Sequence, residues 1–183
     1  TGPRFPFKFV YSNEYWMFDT SQHVFPLRKY RLIYENLLIM GARKDHFILP
    51  SPAETADLTL VHDAGYVRRA DSGILNKSEV QALEMYFTSD VARFMRLGVG
   101  GTVQALETAL DEGLAIHLGG GFHHAFRDHG EAFCLFNDIA VAAEKVIREG
   151  RVGRIMIVDC DLHQGNGTAS IFHDRKDVYT FSI

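Results

Sequence analysis

The sequence predicts an α/β fold built on a parallel sheet, and three observations carry that prediction. Short apolar runs alternate along the chain with stretches of helical spacing that stop at glycines. The runs AIHL and IMIV lack polar alternation, which suits strands covered by helices on both faces. The two most unusual stretches, GGGFHHAF (119–126) and DCDLHQGNGT (159–168), both begin where a predicted strand ends, the place where open parallel sheets bind ligands.

Taken in order, Phe7 to Tyr11 reads as a first strand and Pro26 to Met40 as a helix stopped by Gly41. Asp57 to His62 reads as a second strand and is followed by a polar, mostly irregular stretch. Gly100 to Glu112 then predicts a helix ended by Gly113, and Leu114 to Leu118 a strand. Beyond His123 and His124, Asn137 or Asp138 can cap a helix that carries Ile139, Val141, Ala142, Val146 and Ile147 and ends at Gly150. Arg154 to Cys160 is the next strand, about Gly167 to His173 a short helix, and Val178 to Ile183 a last strand rich in residues that favour extended chain. Strands alternating with helices make the sheet parallel.

The 183 residues, 46% of them hydrophobic, are enough for one core without disulfides or a structural metal, so 1–183 is expected to be a single domain. A net charge of -4, a pI near 6.1 and no run of Lys or Arg point away from direct nucleic-acid or anionic-membrane contact. The two cysteines, Cys134 and Cys160, form no CxxC pattern, which argues against a disulfide framework or a four-thiolate zinc site and fits a reducing, cytoplasmic setting. There is no long apolar run and no charged leader, so neither a membrane span nor a secretory signal is read here. The chain begins with Thr1 and stops inside a predicted strand, which would leave a raw sheet edge.

Asp159, Asp161 and His163 alternate at the end of an extended segment, so in a regular strand they share one side. A carboxylate and an imidazole are suitable zinc ligands, and a catalytic zinc keeps about three protein ligands and an open position for water. Gly165 and Gly167 allow a tight turn and close approach of the backbone to an ion. A phosphate loop is the competing reading, but its GK[ST] ending is absent. His123 and His124 follow three glycines, and adjacent imidazoles of this kind serve proton transfer when each is backed by a carboxylate or amide. His117 reads as a core group. His23, His46, His62, His129 and His173 read as surface or supporting groups, Cys160 as core, and Trp16, Phe18 and Phe25 as core or rim packing.

GGGFHHAF, AFCLFNDIAVAA and DCDLHQGNGTASIF resemble three consecutive signature blocks of the histone deacetylase superfamily, in the family's order and close to its spacing. The stretches HVFPLRKYRLIYENL and GVGGTVQALETALDEG look most like class IV and bacterial members. The resemblance implies a parallel-sheet, three-layer arginase/deacetylase-like fold, here truncated before its C-terminal strands. It implies a zinc-dependent hydrolase that removes acetyl groups from an acetylated protein or a small acetylated amine by metal-activated water. Asp161 and His163 would hold Zn2+. His123, backed by Asp159, and His124, backed by Asn166, would be the tandem acid/base pair, and Phe133 would wall a narrow acyl-lysine tunnel.

The resemblance also implies structural K+: an inner site from Asp159, carbonyls of Asp161 and His163, and the Ser182 and Ile183 pair, and a second from carbonyls of Phe172, Arg175 and Val178. Lys29 stands where many relatives place an arginine at the base of the pocket, and Ala132 where a glycine is usual. The family's third zinc ligand, an Asp, and the Tyr that polarises the scissile carbonyl would lie beyond Ile183, so this segment alone is expected to be inactive or nearly so. An arginase-like ureohydrolase would need DxHxD where this chain has DxDxH. A non-catalytic fragment or binding module of the same fold is the remaining alternative, and the sequence leaves the oligomeric state and the physiological substrate open.

Overall fold

A computed structural model describes residues 5–17 and 26–183. The strands fall into two parallel sheets. In the first, β1 (Lys8–Val10) lies between β2 (Phe47–Ile48) and β3 (Ala115–His117), with Phe9 opposite both Phe47 and Ile116. In the second, β4 (Ile155–Asp159) pairs with β5 (Val178–Ser182), placing Asp159 opposite Ser182. The helices are α1 (Glu14–Met17), α2 (Arg28–Ile39), α3 (Thr55–Leu58), α4 (Ala64–Asp71), α5 (Lys77–Ala82), α6 (Ser89–Glu112), α7 (Asp138–Arg148) and α8 (Asn166–Ile171). Parallel strands with helical crossovers agree with the predicted α/β class. Phe18, Phe25 and His23 lie outside the described residues.

Two expectations fail, each for a physical reason. The strand expected at Asp57–His62 is instead the end of α3 and the turns that follow it: Thr59 N–H donates to the Thr55 carbonyl (3.0 Å) and His62 N–H to that of Leu58 (2.9 Å). Those turns bring Leu58, Val61 and His62, spaced i, i+3, i+4, onto one buried face. The stretch taken as irregular holds α4, α5 and the first half of α6. Asp63 caps α4 by accepting from Tyr66 N–H (2.9 Å), and Asn76 and Glu79 form a reciprocal capping box on α5. The helix expected from Gly100 begins at Ser89, capped by Thr88. Its interior glycines do not break it, because a Cβ at Gly98 would strike the Phe122 ring and one at Gly100 the Ser51 carbonyl. Their helix cost of about 1 kcal/mol each is offset by packing no larger residue allows.

The core runs from Tyr15 and Tyr66 through Val91, Val99 and Leu135 to Phe136 and Val141. Ile155 and Ile157 of β4 pack against it, whereas Met156 and Val158, and Tyr179 and Phe181 of β5, are 45–61% exposed on the opposite face. One face of this small sheet is thus covered and the other open among the described residues. The 183-residue chain is expected to bind a hydrophobic-surface dye there. Met156→Lys with Phe181→Lys should remove most of that binding with an unchanged far-UV circular dichroism spectrum, and undiminished binding would place the open surface elsewhere.

Candidate functional site

The site forms where β3 and β4 hand over to their loops. Strand β4 ends at Asp159, so the alternation expected through His163 does not persist. Instead each carboxylate turns the chain by accepting a backbone N–H two residues on: Asp161 N–H donates to Asp159 Oδ1 (2.9 Å) and His163 N–H to Asp161 Oδ2 (2.8 Å). This puts Asp161 Oδ2 3.3 Å from His163 Nδ1. The Asp161 carboxyl is held below its ordinary pKa first by that His163 N–H, against some desolvation, and further by the neighbouring His123. Cys160, expected in the core, is exposed at this turn.

After β3 the chain runs through Gly119–Gly121 to His123 and His124, whose rings lie 4.1 Å apart at 55°. His123 Nδ1 is 2.5 Å from Asp159 Oδ2, and its Nε2 is 3.8 Å from Asp161 Oδ2. His124 Nδ1 is 2.6 Å from Asn166 Oδ1. Asn166 Nδ2 donates to Glu131 Oε2 (3.2 Å) and Gly167 N–H donates to Asn166 Oδ1 (2.9 Å), so the Asn166 oxygen is the end that faces the imidazole. His124 therefore carries its proton on Nδ1 and leaves Nε2 as a lone pair. The glycines expected to approach an ion approach this pair instead: a Cβ at Gly165 would meet Asp159 Oδ2 and His123 Nδ1, and one at Gly167 the Ala125 carbonyl.

His123, His124, Asp161, His163, Phe133 and Tyr30 line one cavity of about 660 Å³. Phe133 and Ala132 have φ of +69° and +42°, the left-handed region that explains why a glycine suits the Ala132 position. Two backbone bonds hold this wall, Ala132 N–H to the Ala82 carbonyl (2.9 Å) and Phe133 N–H to that of Leu83 (3.0 Å). Lys29 is half-buried with its ammonium 5.3 Å from the centre of the Tyr30 ring, and its neighbours Leu27 and Tyr30 are the ones that line the cavity. Burial lowers the Lys29 pKa.

Among the described residues, no group of three or more His, Cys, Asp or Glu is arranged to hold a metal ion. The Asp161 and His163 donors nevertheless fit two corners of a zinc site. Bonds of about 2.0–2.1 Å in a tetrahedron place ligand atoms about 3.3–3.4 Å apart, the separation seen here. Beside Asp159, the Ser182 hydroxyl is buried without a hydrogen-bond partner, and Ile183 N–H donates to the Asp159 carbonyl (3.1 Å). A buried hydroxyl without a partner, on the residue paired with Asp159, is the kind of oxygen a cation could use. At the second set, the Phe172 carbonyl accepts from Arg175 N–H (3.0 Å), and Val178 opens β5.

Sequence reasoning missed Glu131, named Asp138 only as a helix cap, and left His62 among surface or supporting groups. Asp138 accepts Gly121 N–H (3.0 Å) and Phe122 N–H (2.7 Å), while Asn137, the actual cap of α7, donates its Nδ2 to the Ala125 carbonyl (3.0 Å). One cap suffices for a helix, so the adjacent Asn and Asp already offered one side chain to spare. His62 and His46, read as surface or supporting groups, are buried. His62 Nδ1 lies 2.9 Å from the Phe126 carbonyl, and Nε2 accepts Asn137 N–H (3.0 Å), clamping both ends of the loop that forms the cavity.

The chain matches the family described as histone deacetylase domain over residues 23–183. An uncharacterised protein of Picosynechococcus sp. is 37% identical over 97% of this chain and 59% of its own length. The acetoin utilization protein AcuC of Bacillus subtilis is 34% identical over 96% of this chain and 48% of its own. The chain thus spans about half the length of the curated relatives it matches. The crystal structure of a histone deacetylase homologue from Aquifex aeolicus superposes with a TM-score of 0.80 at 23% identity, over 96% of this chain and 50% of that one, a likeness of fold.

Two outcomes follow from the loop geometry. Ala132→Gly should raise stability by about 1 kcal/mol, read by thermal denaturation, because only the substituted residue relaxes in the left-handed region; a lower melting temperature would contradict the strain. Burial pushes the His62 and His117 imidazoles down to about 4 from 6.5. The unfolded chain then binds more protons between those values, so stability is full above pH 6.5 and is lost as pH falls toward 4. The loss is on the order of 3 kcal/mol per group by the unit-to-energy conversion. Urea midpoints at pH 7.5, 6 and 5 check it, and a flat profile would mean these rings are not buried as neutral groups.

Proposed function

Because the chain belongs to the histone deacetylase family, we propose that it supplies the proton-transfer half and two metal ligands of a zinc-dependent deacetylase acting on an acetylated protein or small acetylated amine. One observation carries the reading: two imidazoles with separate backing groups line the same cavity as a carboxylate and an imidazole 3.3 Å apart. Asp161 and His163 would hold the zinc, with a third ligand from the half of the family's length this chain does not span. When bound, zinc lowers the pKa of water to about 7 and polarises a carbonyl.

The chain's own residues then set where protons go. His124, with its proton on Nδ1 toward Asn166, offers Nε2 to accept one from the attacking water. His123 is backed by a carboxylate and His124 by an amide, so the two rings are not equivalent, and the pair returns a proton to the departing amine. Phe133 and its neighbours exclude water from the acyl-lysine stem, and Lys29 lends positive charge near the cavity base, where acetate leaves. Asp159, the carbonyls of Asp161 and His163, and the Ser182 and Ile183 pair would hold K+ behind the site, and the Phe172, Arg175 and Val178 carbonyls a second K+. Cys134 and Cys160 are both free thiols, which fits a reducing cytoplasmic setting. No helix among the described residues is long and apolar enough to cross a membrane.

The test is hydrolysis of a fluorogenic acetyl-lysine peptide and of an acetylated diamine by the full-length protein. His124→Ala should lower kcat about 100- to 10,000-fold with zinc content unchanged. The 183-residue chain by itself should show little or no turnover. Undiminished activity in His124→Ala would remove the proton-transfer role.

A further inference from the structure

Behind the glycine run lies a set of linked polar groups, two fully buried and two half-buried, that the proposed chemistry does not use. Tyr15 of α1, fully buried, places its hydroxyl 2.7 Å from His117 Nε2 at the end of β3. His117 Nδ1 lies 2.8 Å from Thr102 Oγ1 of α6. Thr102 donates in a short bond to Asp138 Oδ2, and Asp138, also fully buried, accepts Gly121 N–H and Phe122 N–H. Four elements thus converge, through four side chains, on the two amides that precede His123.

Counting protons gives this set a direction. The two backbone amides can only donate, so Asp138 is the acceptor at one end. If it is ionised, Thr102 donates to it, His117 donates from Nδ1 to Thr102, and the Tyr15 hydroxyl donates to Nε2. Every proton then has an acceptor. If Asp138 were protonated toward Thr102, the order would reverse, and the Tyr15 hydroxyl proton would have no acceptor among the described residues. A buried donor left unmade costs about 1–3 kcal/mol, which decides for the first arrangement. Burial pushes the Asp138 carboxyl up, and its three donors Thr102, Gly121 N–H and Phe122 N–H, with the start of α7, oppose that push, so the direction of the set rests on the proton count.

The glycines explain why the set can close. A Cβ at Gly101 would strike His117 Nε2 and the Tyr15 hydroxyl, one at Gly119 the Tyr15 ring, and one at Gly120 Asp138, Thr102 and His117 at once. Two of the three glycines before the tandem histidines are therefore there to admit a hydrogen-bonded interior and not a ligand. We propose that Tyr15, His117, Thr102 and Asp138 form a one-way relay that fixes the Gly121 and Phe122 amides and thereby sets where His123 and His124 stand in the cavity. They are positioning residues; their effect on turnover rests on the deacetylase reading, whereas the relay itself does not.

The test uses the full chain carrying Thr102→Val, which removes only the hydroxyl at the centre, beside Thr102→Ser, which keeps it. In the parent, 15N imidazole shifts should show His117 as the Nδ1–H tautomer at neutral pH. Thr102→Val should abolish that single tautomer and speed hydrogen exchange at Gly121 and Phe122 at least tenfold, and Thr102→Ser should restore both. Where turnover is measurable in the full-length protein, Thr102→Val should lower kcat roughly 10- to 100-fold at unchanged KM, the size of effect a misplaced catalytic group produces. Should Thr102→Val not fold, Tyr15→Phe, which deletes one oxygen at the far end, should speed the same two amides more weakly. Exchange at Gly121 and Phe122 unchanged in either folded variant overturns the relay. Faster exchange in a protein that hydrolyses no acetylated amine leaves the relay standing and the deacetylase reading refuted.

Discussion

The segment from Gly121 to Ala125 is held by its backbone, and the candidate site depends on that grip. Asp138 takes the Gly121 and Phe122 N–H groups, Thr168 N–H donates to the His123 carbonyl (3.0 Å), and Asn137 Nδ2 donates to that of Ala125. Buried amides and carbonyls in an irregular loop must find partners or cost stability, so a loop tied at four points has one conformation available to it. Three of the four ties come from two adjacent residues at the start of α7, and the fourth from α8. Because α7 packs on α6, and α6 on β1 and β3, the placement of two imidazoles is a property of the packed interior and not of the loop's own sequence.

The same economy governs the second cluster. Asp159 serves three groups: Oδ2 meets His123, Oδ1 accepts Asp161 N–H, and its carbonyl accepts Ile183 N–H. Asp161 in turn fixes His163 by accepting its N–H. A strand end that would fray in water is converted into a chain of carboxylate turns, each orienting the next donor. Pairing with β5 matters for this reason: the register that puts Ser182 opposite Asp159 places the last rung of the sheet under the residue that backs His123.

Much of this was legible from residues alone. The strand positions at β1, β3, β4 and β5 and the helix α7 follow from apolar runs and glycine stops, and adjacent imidazoles call for a carboxylate or amide behind each, but which residue backs which ring came from the family resemblance and not from the residues. What was not legible has a common physical cause. The helices between Asp63 and Gly100 are held by caps and close packing that offset poor local propensity, so the helix expected from Gly100 in fact starts at Ser89 and runs through Gly98 and Gly100, which are packing contacts. Glu131 and Asp138 act on groups 16 to 36 residues away in sequence, and His62 on groups still farther off. Periodicity carries no information about such long-range hydrogen bonds.

The cavity wall makes the converse point, that strain can be placed where function wants rigidity. Glu84, Ala132 and Phe133 are the non-glycine residues with positive φ among those described, and all three sit at the cavity. Left-handed backbone costs roughly 1–2 kcal/mol per residue, so the fold must over-determine these positions. It does so by making the end of α5 the acceptor: the Ala82 and Leu83 carbonyls, which a helix terminus leaves without intrahelical partners, take the Ala132 and Phe133 amides. Neither partner gains as much alone, since the helix end would face water and the wall would relax. The short helix α5, which buries none of its own residues, is therefore best understood as the anchor that keeps the Phe133 ring at the cavity.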